Sequence, residues 1–148
     1  MENYQIIADY IAGMSVRLEE ITDTPRLEAE MLLARALGIS RASLLARLHE
    51  TAEVSVMEPL MLRRLNYEPL AYIFGEWEFF GLPFYVQPPL LTPRPETEHL
   101  VEAALKFLNG DGAALAAPRH IADVCCGTGC VAVAIGRPYR VRGDLQRL

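Results

Sequence analysis

Apolar residues recur at intervals of three and four through the first twenty positions of the chain. Five residues follow this spacing: Tyr4, Ile7, Ile11, Met14 and Leu18. Because a helix completes a turn about every 3.6 residues, the spacing places these side chains on one helix face. The pattern predicts a first helix over about residues 3–20.

A second helix is predicted over residues 25–37, from its flanking residues as well as its apolar positions. Thr24 offers a capping hydroxyl, Pro25 suits the first helical position, and Gly38 suits the residue after a helix. The apolar run between them includes Leu32 and Leu33, which fits a helix packed on a core.

Two shorter helices are predicted to complete an N-terminal domain over residues 1–75. One covers residues 40–48. The other runs from Ser55 to about Leu65, because Ser55 and Glu58 have the spacing of a capping box. No convergent polar residues interrupt the apolar faces, so the leucines and methionines here are predicted to form a core. The region is expected to be all-α and to carry no catalytic residue.

Aromatic residues then change the predicted structure from helix to strand. Residues 77–80 and 84–86 are strand-prone runs on either side of Gly81-Leu82-Pro83, which predicts a β-hairpin. Four prolines between positions 88 and 95 favour a stiff, extended segment, because Pro fixes its own φ and disfavours helix in the residue before it. Residues 76–94 are therefore predicted to form a connector.

The last region alternates helix and strand patterns. A helix is predicted over residues 95–110, a loop over 111–118, a buried parallel strand over 121–124 and a further helix over 131–135. A strand, a glycine turn and a helix form the opening half of a doubly wound domain. The predicted fold class is α+β overall, with the truncated start of a Rossmann-like α/β domain over residues 95–148.

The turn between that strand and helix carries the candidate chemistry. Gly127 and Gly129 let the backbone approach a ligand closely, and their spacing also satisfies a dinucleotide fingerprint. Asp123 argues against a dinucleotide, because its carboxylate would lie beside the pyrophosphate and repel it. A cationic ligand suits this carboxylate better. A tight turn without any ligand stays open as an interpretation.

The spacing D-x-C-x-G-x-G from Asp123 resembles the glycine motif of class I methyltransferases, although Cys125 stands where that motif usually has its first glycine. Two longer strings extend the likeness. They are E-P-L-A-Y-I-F-G-E-W-E-F-F-G-L-P-F at 68–84 and L-T-P-R-P-E-T-E at 91–98. Together they closely resemble the bacterial release factor glutamine methyltransferase family, and the likeness covers about residues 1–135.

The resemblance implies both an activity and a partner. Members of this family transfer a methyl group from S-adenosylmethionine to the side-chain amide of the Gln in the G-G-Q loop of peptide chain release factors. They hold that amide with an Asn-Pro-Pro-Tyr segment, which this sequence does not contain. We therefore expect a truncated chain that does not methylate by itself. The alternative is a non-enzymatic module that still binds release factors.

The resemblance also implies an S-adenosylmethionine site in the glycine turn, and no catalytic residue is assigned. The cofactor-binding candidates in this turn are Asp123, Cys125, Cys126, Gly127, Thr128 and Gly129.

Three further residues are site candidates by resemblance. Asp144 is the candidate for the acid that takes the ribose hydroxyls, although it lies closer to the turn than in the family. Two explanations stay open for that spacing: a compact second strand, or a tail altered from about Gly136 onwards. Arg94 and Glu96 are assigned to the cofactor and substrate cleft. The alternative is that Glu96 only favours the helix start and pairs with Arg94.

Composition narrows the remaining possibilities. The net charge of −5 and pI near 5.2 lack the basic footprint of a nucleic-acid-binding protein, so no direct nucleic acid contact is expected. No stretch approaches the roughly 20 apolar residues that span a bilayer, and we expect a cytoplasmic monomer without a membrane partner. The three cysteines lie between positions 125 and 130, with only His120 nearby, so no metal site is predicted.

Overall fold

The computed structural model describes residues 4–110 and 121–137. The chain divides into two units, Met1–Phe74 and Gly75–Leu148. The strands of the described ranges form two separate antiparallel pairs, and helices make up most of the rest. This mixture confirms the predicted α+β class. No helix in the described ranges is long and apolar enough to cross a membrane.

The first unit packs five helices around one apolar core. They are α1 (Ile7–Leu18), α2 (Pro25–Leu37), α3 (Arg41–Leu45), α4 (Glu58–Leu65) and α5 (Leu70–Phe74). The fully buried side chains come from α1, α2, α3, α4 and the turn before α4, and they include Leu18, Leu32, Leu33, Leu44, Met57 and Met61. The predicted α-helical core of this region is confirmed, although α3 is shorter than expected and α5 was not predicted.

The chain start differs from the predicted helix over residues 3–20. Tyr4–Ile6 is a strand, β1, which pairs antiparallel with β2 (Thr51–Glu53) in the register Tyr4↔Glu53. Helix α1 therefore begins only at Ile7, and the expectation of an all-α region is wrong because β1 and β2 form a small sheet within it. Tyr4 is exposed and does not belong to the buried face on which Ile7, Ile11 and Leu18 lie. The backbone of β1 bonds to a strand about 47 positions away, and this distant pairing competes with the helical pattern.

Two predicted helix caps are also wrong. Thr24 makes no side-chain cap, and its hydroxyl instead lies 3.4 Å from the Thr22 hydroxyl. The Thr22 hydroxyl oxygen also accepts from the Thr24 backbone N–H at 3.2 Å. The Ser55 hydroxyl donates to the Glu53 carboxylate at 2.9 Å, so no capping box forms with Glu58. Gly38 does end α2 as predicted, with φ of 67°, the left-handed conformation that glycine adopts without steric cost.

Two glutamates of α2 are buried within the first unit, and both are paired with arginines. Glu28 meets Arg64 of α4 in a two-pronged contact with distances of 2.6 and 3.2 Å. Glu30 meets Arg26 at 3.1 Å and Arg41 at 2.7 Å. Buried carboxylates need such partners because the loss of their hydration is otherwise uncompensated. These ion pairs tie α2 to both α3 and α4.

Arginines also hold the end of α5. The Arg63 guanidinium donates to the carbonyls of Tyr72 and Ile73 at 3.1 and 3.2 Å. The Arg35 guanidinium donates to the Phe74 carbonyl at 2.7 Å and lies over the Phe74 ring at 5.8 Å from its centroid. The last carbonyls of a helix have no partner within the helix, so cations stabilise them.

The second unit begins with the predicted hairpin. Strands β3 (Glu76–Phe79) and β4 (Leu82–Tyr85) pair antiparallel, and Phe79 lies opposite Leu82. The turn between them is Phe80-Gly81, with φ of 53° and 68°, as the commonest two-residue hairpin turns require. The hairpin is confirmed, but its turn lies earlier than the expected Gly81-Leu82-Pro83.

Two helices complete the described part of the second unit. Helix α6 (Glu98–Asn109) follows a single 3₁₀ turn at Pro95–Thr97, which confirms the predicted helix over 95–110. Helix α7 (Cys130–Gly136) confirms the helix predicted over 131–135. Phe79, Val101, Cys130, Ala134 and Ile135 form the core that joins the hairpin to both helices. The predicted loop over 111–118 lies outside the described residues.

The strand predicted over residues 121–124 is wrong. These residues form no strand, and Ile121 and Val124 are 55% and 83% exposed rather than buried. A strand requires a neighbour to bond its backbone groups, and no other strand of the described ranges pairs with this segment. Val133 of α7 is also exposed, whereas Ile135 is buried.

Candidate functional site

The candidate site is the turn from Asp123 to Gly129 that leads into α7, named here the glycine loop. Three of its residues have positive φ: Cys125 at 61°, Gly127 at 54° and Gly129 at 75°. The Gly129 N–H donates to the Cys126 carbonyl at 2.7 Å and closes the last part of the loop. The Gly129 carbonyl then accepts the first helical hydrogen bond, from Val133 N–H at 3.0 Å.

The two glycines of the loop are required by backbone conformation rather than by crowding. A side chain at either position would be strained, because L-residues with a Cβ rarely adopt positive φ. A Cβ built on Gly127 or Gly129 nevertheless meets no atom within 4 Å. The glycines therefore leave open space beside the loop, which is the condition for a ligand to approach the backbone.

Asp123 holds the loop closed. Its carboxylate oxygen Oδ2 accepts from the Ala132 N–H in the first turn of α7, at 3.1 Å. The N–H groups of a first helical turn have no partner within the helix, so this carboxylate satisfies one of them. Asp123 is half-buried and makes this one hydrogen bond within the described ranges. Within the same ranges, no hydrogen bond or ion pair is recorded for its second oxygen.

The other cofactor-binding candidates of the loop differ in exposure. Cys125 and Cys126 are exposed, Thr128 is half-buried, and Cys130 just after the loop is buried. The cysteines of the chain are free thiols. Within residues 4–110 and 121–137, no three His, Cys, Asp or Glu side chains are arranged to hold a metal ion.

The remaining candidates lie elsewhere. Arg94 and Glu96 are both exposed and flank the start of α6, and they form no ion pair with each other within the described part of the chain. The alternative in which Glu96 pairs with Arg94 is therefore not observed. No hydrogen bond or ion pair in the described ranges joins either residue to the glycine loop. Asp144 lies outside the described residues.

The structural role of Glu98, which lies close to these candidates along the chain, was not predicted from the sequence. The Glu98 carboxylate accepts from the Phe80 N–H at 2.9 Å and so ties the start of α6 to the hairpin turn. The charge of Glu98 signals only a favourable helix start. Its partner lies eighteen positions earlier, and no local pattern in the sequence indicates that contact.

Comparison with known proteins finds a matching family profile and relatives that are named release factor glutamine methyltransferases. Residues 9–75 match the family profile described as the PrmC N-terminal domain. The release factor glutamine methyltransferase of Nitratidesulfovibrio vulgaris is 44% identical over 129 residues, which is 85% of this chain and 41% of that protein. The proteins of the same name from Coxiella burnetii and Bordetella pertussis are 41% and 46% identical, over 90% and 75% of this chain. They are covered over 48% and 40% of their own lengths.

The extent of these matches bears on the glycine loop. A match over 90% of 148 residues can omit only about 15 positions, so the Coxiella burnetii match reaches past the loop. The chain spans less than half the length of these relatives. The Coxiella burnetii relative is thus aligned with this chain across the glycine loop.

Proposed function

We propose that the glycine loop of this chain binds S-adenosylmethionine for methylation of a release factor Gln, because the chain is similar over most of its length to proteins named release factor glutamine methyltransferase. The methyl acceptor in this proposal is the side-chain amide of the Gln in the G-G-Q loop of peptide chain release factors. In this proposal, residues 1–75 recognise the release factor and residues 95–148 begin a Rossmann-like methyltransferase domain. Residues 76–94 connect these two parts. The observation that carries the proposal is the open, glycine-lined loop within the matched region.

The residues of the loop fit the chemistry of this cofactor. Bound S-adenosylmethionine supplies an electrophilic methyl carbon on a sulfonium, and it also carries a positive amino group. Gly127 and Gly129 leave space for the ligand to reach the backbone. The Asp123 carboxylate has one oxygen on the Ala132 N–H, and its charge favours a cationic group at the other. The dinucleotide alternative would place a pyrophosphate at this carboxylate, where the charges repel.

The methyl acceptor sets a second requirement. An amide nitrogen is a poor nucleophile because its lone pair is delocalised, so the amide must be held in line with the methyl carbon. By resemblance an Asn-Pro-Pro-Tyr segment does this, and the present sequence does not contain one. The proposed role of the glycine loop is to fix the cofactor, while Arg94 and Glu96 are proposed to line the cleft.

A chimera tests the cofactor site without depending on the length of this chain. The part of this chain that aligns with the Coxiella burnetii relative, which includes the glycine loop, would replace the corresponding segment of that relative. Calorimetric titration with S-adenosylhomocysteine would then measure affinity. We expect Asp123→Asn to weaken binding by about tenfold to a hundredfold, since a charge-assisted hydrogen bond contributes about 1.5–3 kcal/mol.

A matched glycine pair controls for backbone strain in this experiment. Gly129 and Gly81 have φ of 75° and 68°, and a Cβ on either meets no atom within 4 Å. Ala at either position carries the same strain, but only Gly129→Ala places a methyl group beside the proposed ligand. We expect Gly129→Ala to weaken binding and Gly81→Ala to leave it unchanged. Unchanged affinity in both Asp123→Asn and Gly129→Ala would refute the proposed cofactor site.

The partner is tested separately. The full chain would be passed over an immobilised release factor, with a globular protein of similar acidity as the control. Retention above that control supports the proposed recognition by residues 1–75. Equal elution of both proteins contradicts it, because the buried core of the first unit is formed without residues of the glycine loop.

A further inference from the structure

The chain carries three thiols in and just after the glycine loop, and the exposure of their side chains differs sharply. Cys125 and Cys126 are exposed, whereas Cys130 is 7% exposed and belongs to the core of the second unit. We propose that Cys125 and Cys126 form a thiol modification site, which low-molecular-weight disulfides such as oxidised glutathione modify reversibly. The consequence for cofactor binding rests on the proposed function, but the modification itself does not.

The proposed reaction is a thiol–disulfide exchange. The thiolate of Cys125 or Cys126 attacks one sulfur of the small disulfide and forms a protein–glutathione S–S bond. The original S–S bond breaks, and the second glutathione leaves as a thiolate that takes up a proton. The protein sulfur is oxidised and the leaving sulfur is reduced. An excess of free thiol reverses the exchange.

Geometry favours a mixed disulfide over an internal one. The Cα atoms of neighbouring residues are about 3.8 Å apart across a trans peptide bond, below the range of about 4.4–6.8 Å seen in ordinary disulfides. A bond between Cys125 and Cys126 is therefore strained and forms poorly. Cys130 is buried and cannot reach a mixed disulfide unless α7 opens. When one of Cys125 and Cys126 carries glutathione, neither the other one nor Cys130 readily displaces it, so the adduct persists.

The position of the adduct gives it a function. Cys125 has φ of 61° in the same turn as Gly127, and the space beside Gly127 and Gly129 is open. A glutathione on either cysteine adds a tripeptide with net negative charge next to that space. We infer that the adduct obstructs the glycine loop, and that ligand binding and modification exclude each other.

The first test uses the full chain and oxidised glutathione, with adducts located by tandem mass spectrometry. We expect adducts on Cys125 or Cys126, removal by dithiothreitol, and reaction at least about tenfold faster than at Cys130, which needs local unfolding to react. Cys125→Ser/Cys126→Ser should remove the fast reaction, and Cys130→Ser should keep it. Equal rates at the three thiols, or reaction only in urea, would overturn the proposal.

The second test separates this inference from the proposed function. In the chimera, S-adenosylhomocysteine should slow modification of Cys125 and Cys126. The modified chimera should bind S-adenosylhomocysteine at least about tenfold more weakly, which corresponds to a loss of about 1.4 kcal/mol or more. Fast modification in the full chain without protection in the chimera would keep the thiol site. That result would overturn the proposed effect of the modification on ligand binding. It would also count against the proposal that the glycine loop binds the cofactor.

Discussion

Removal of the Arg64 guanidinium should destabilise the first unit far more than removal of a comparable surface arginine. The Arg64 Nε and Glu28 Oε2 atoms lie 2.6 Å apart, and the two side chains are only 12% and 11% exposed. In Arg64→Met the aliphatic stem keeps its packing while the Glu28 carboxylate loses its partner. An unpaired buried carboxylate is costly because water no longer solvates it. Arg17 offers the control, since it pairs with Glu58 at 3.2 Å with side chains 36% and 45% exposed.

The size of the effect follows from this difference in exposure. Two unit charges about 4 Å apart interact by about 4 kcal/mol at an effective dielectric constant of about 20. Loss of one partner from a buried pair typically costs about 3–5 kcal/mol, and the residual exposure of Arg64 and Glu28 favours the lower end. We expect about 3 kcal/mol for Arg64→Met. For Arg17→Met we expect about 0.5 kcal/mol, as for other exposed pairs.

Urea unfolding of the full chain, followed by far-ultraviolet circular dichroism, measures both values. With a slope of about 1.5 kcal/mol per molar urea, Arg64→Met should lower the midpoint of the helix signal by about 2 M. The double variant Arg64→Met/Glu28→Gln should recover much of the loss, because no buried charge is left unpaired. Equal midpoints for Arg64→Met and Arg17→Met would refute this reasoning.

Four further substitutions test separate features of the first unit. Leu32→Ala should cost about 3 kcal/mol in urea unfolding, because Leu32 is fully buried in α2, and a cost below about 1 kcal/mol would contradict the observed core. Gly13→Ala should stabilise α1 by about 0.5–1 kcal/mol, whereas Gly38→Ala should destabilise by about 1 kcal/mol because φ there is 67°; thermal melts that shift in the same direction would contradict the account. A hydrogen bond from Arg63 lowers the pKa of the Glu68 carboxyl below its ordinary value of 4.5, so the stabilising effect is present above that pH and is lost as the pH falls through the lowered pKa. Glu68→Gln should therefore cost about 0.5 kcal/mol near neutrality and nothing in strong acid, and a cost that does not change with pH would contradict this assignment.

Helix boundaries were predicted correctly where residues at the boundary itself determine them. Pro25 and Gly38 bound α2 as expected, because a fixed φ and a left-handed residue act within the chain segment itself. The strand Tyr4–Ile6 was missed because its partner, Thr51–Glu53, lies far along the chain. The cap at Thr24 failed for a more local reason, since the Thr24 hydroxyl pairs with the Thr22 hydroxyl rather than with an N–H of the first helical turn.

The glycine loop shows the same division between local and non-local causes. The positive φ of Gly127 and Gly129 follows from residue type and position in a tight turn. The bond from Ala132 N–H to Asp123 depends on how the turn folds back on α7, which spacing alone does not indicate. Residues 121–124 have the composition of a buried strand, but composition does not supply the neighbouring strand that a sheet requires.

Methyl transfer by the chimera tests the central claim most directly. The chimera would be incubated with methyl-labelled S-adenosylmethionine and a release factor, beside a release factor whose G-G-Q Gln is replaced by Ala. We expect label on the first release factor, no label on the second, and a strongly reduced rate in Asp123→Asn. A folded chimera that binds the release factor but transfers no label, while the parent relative transfers it, would contradict the proposed function.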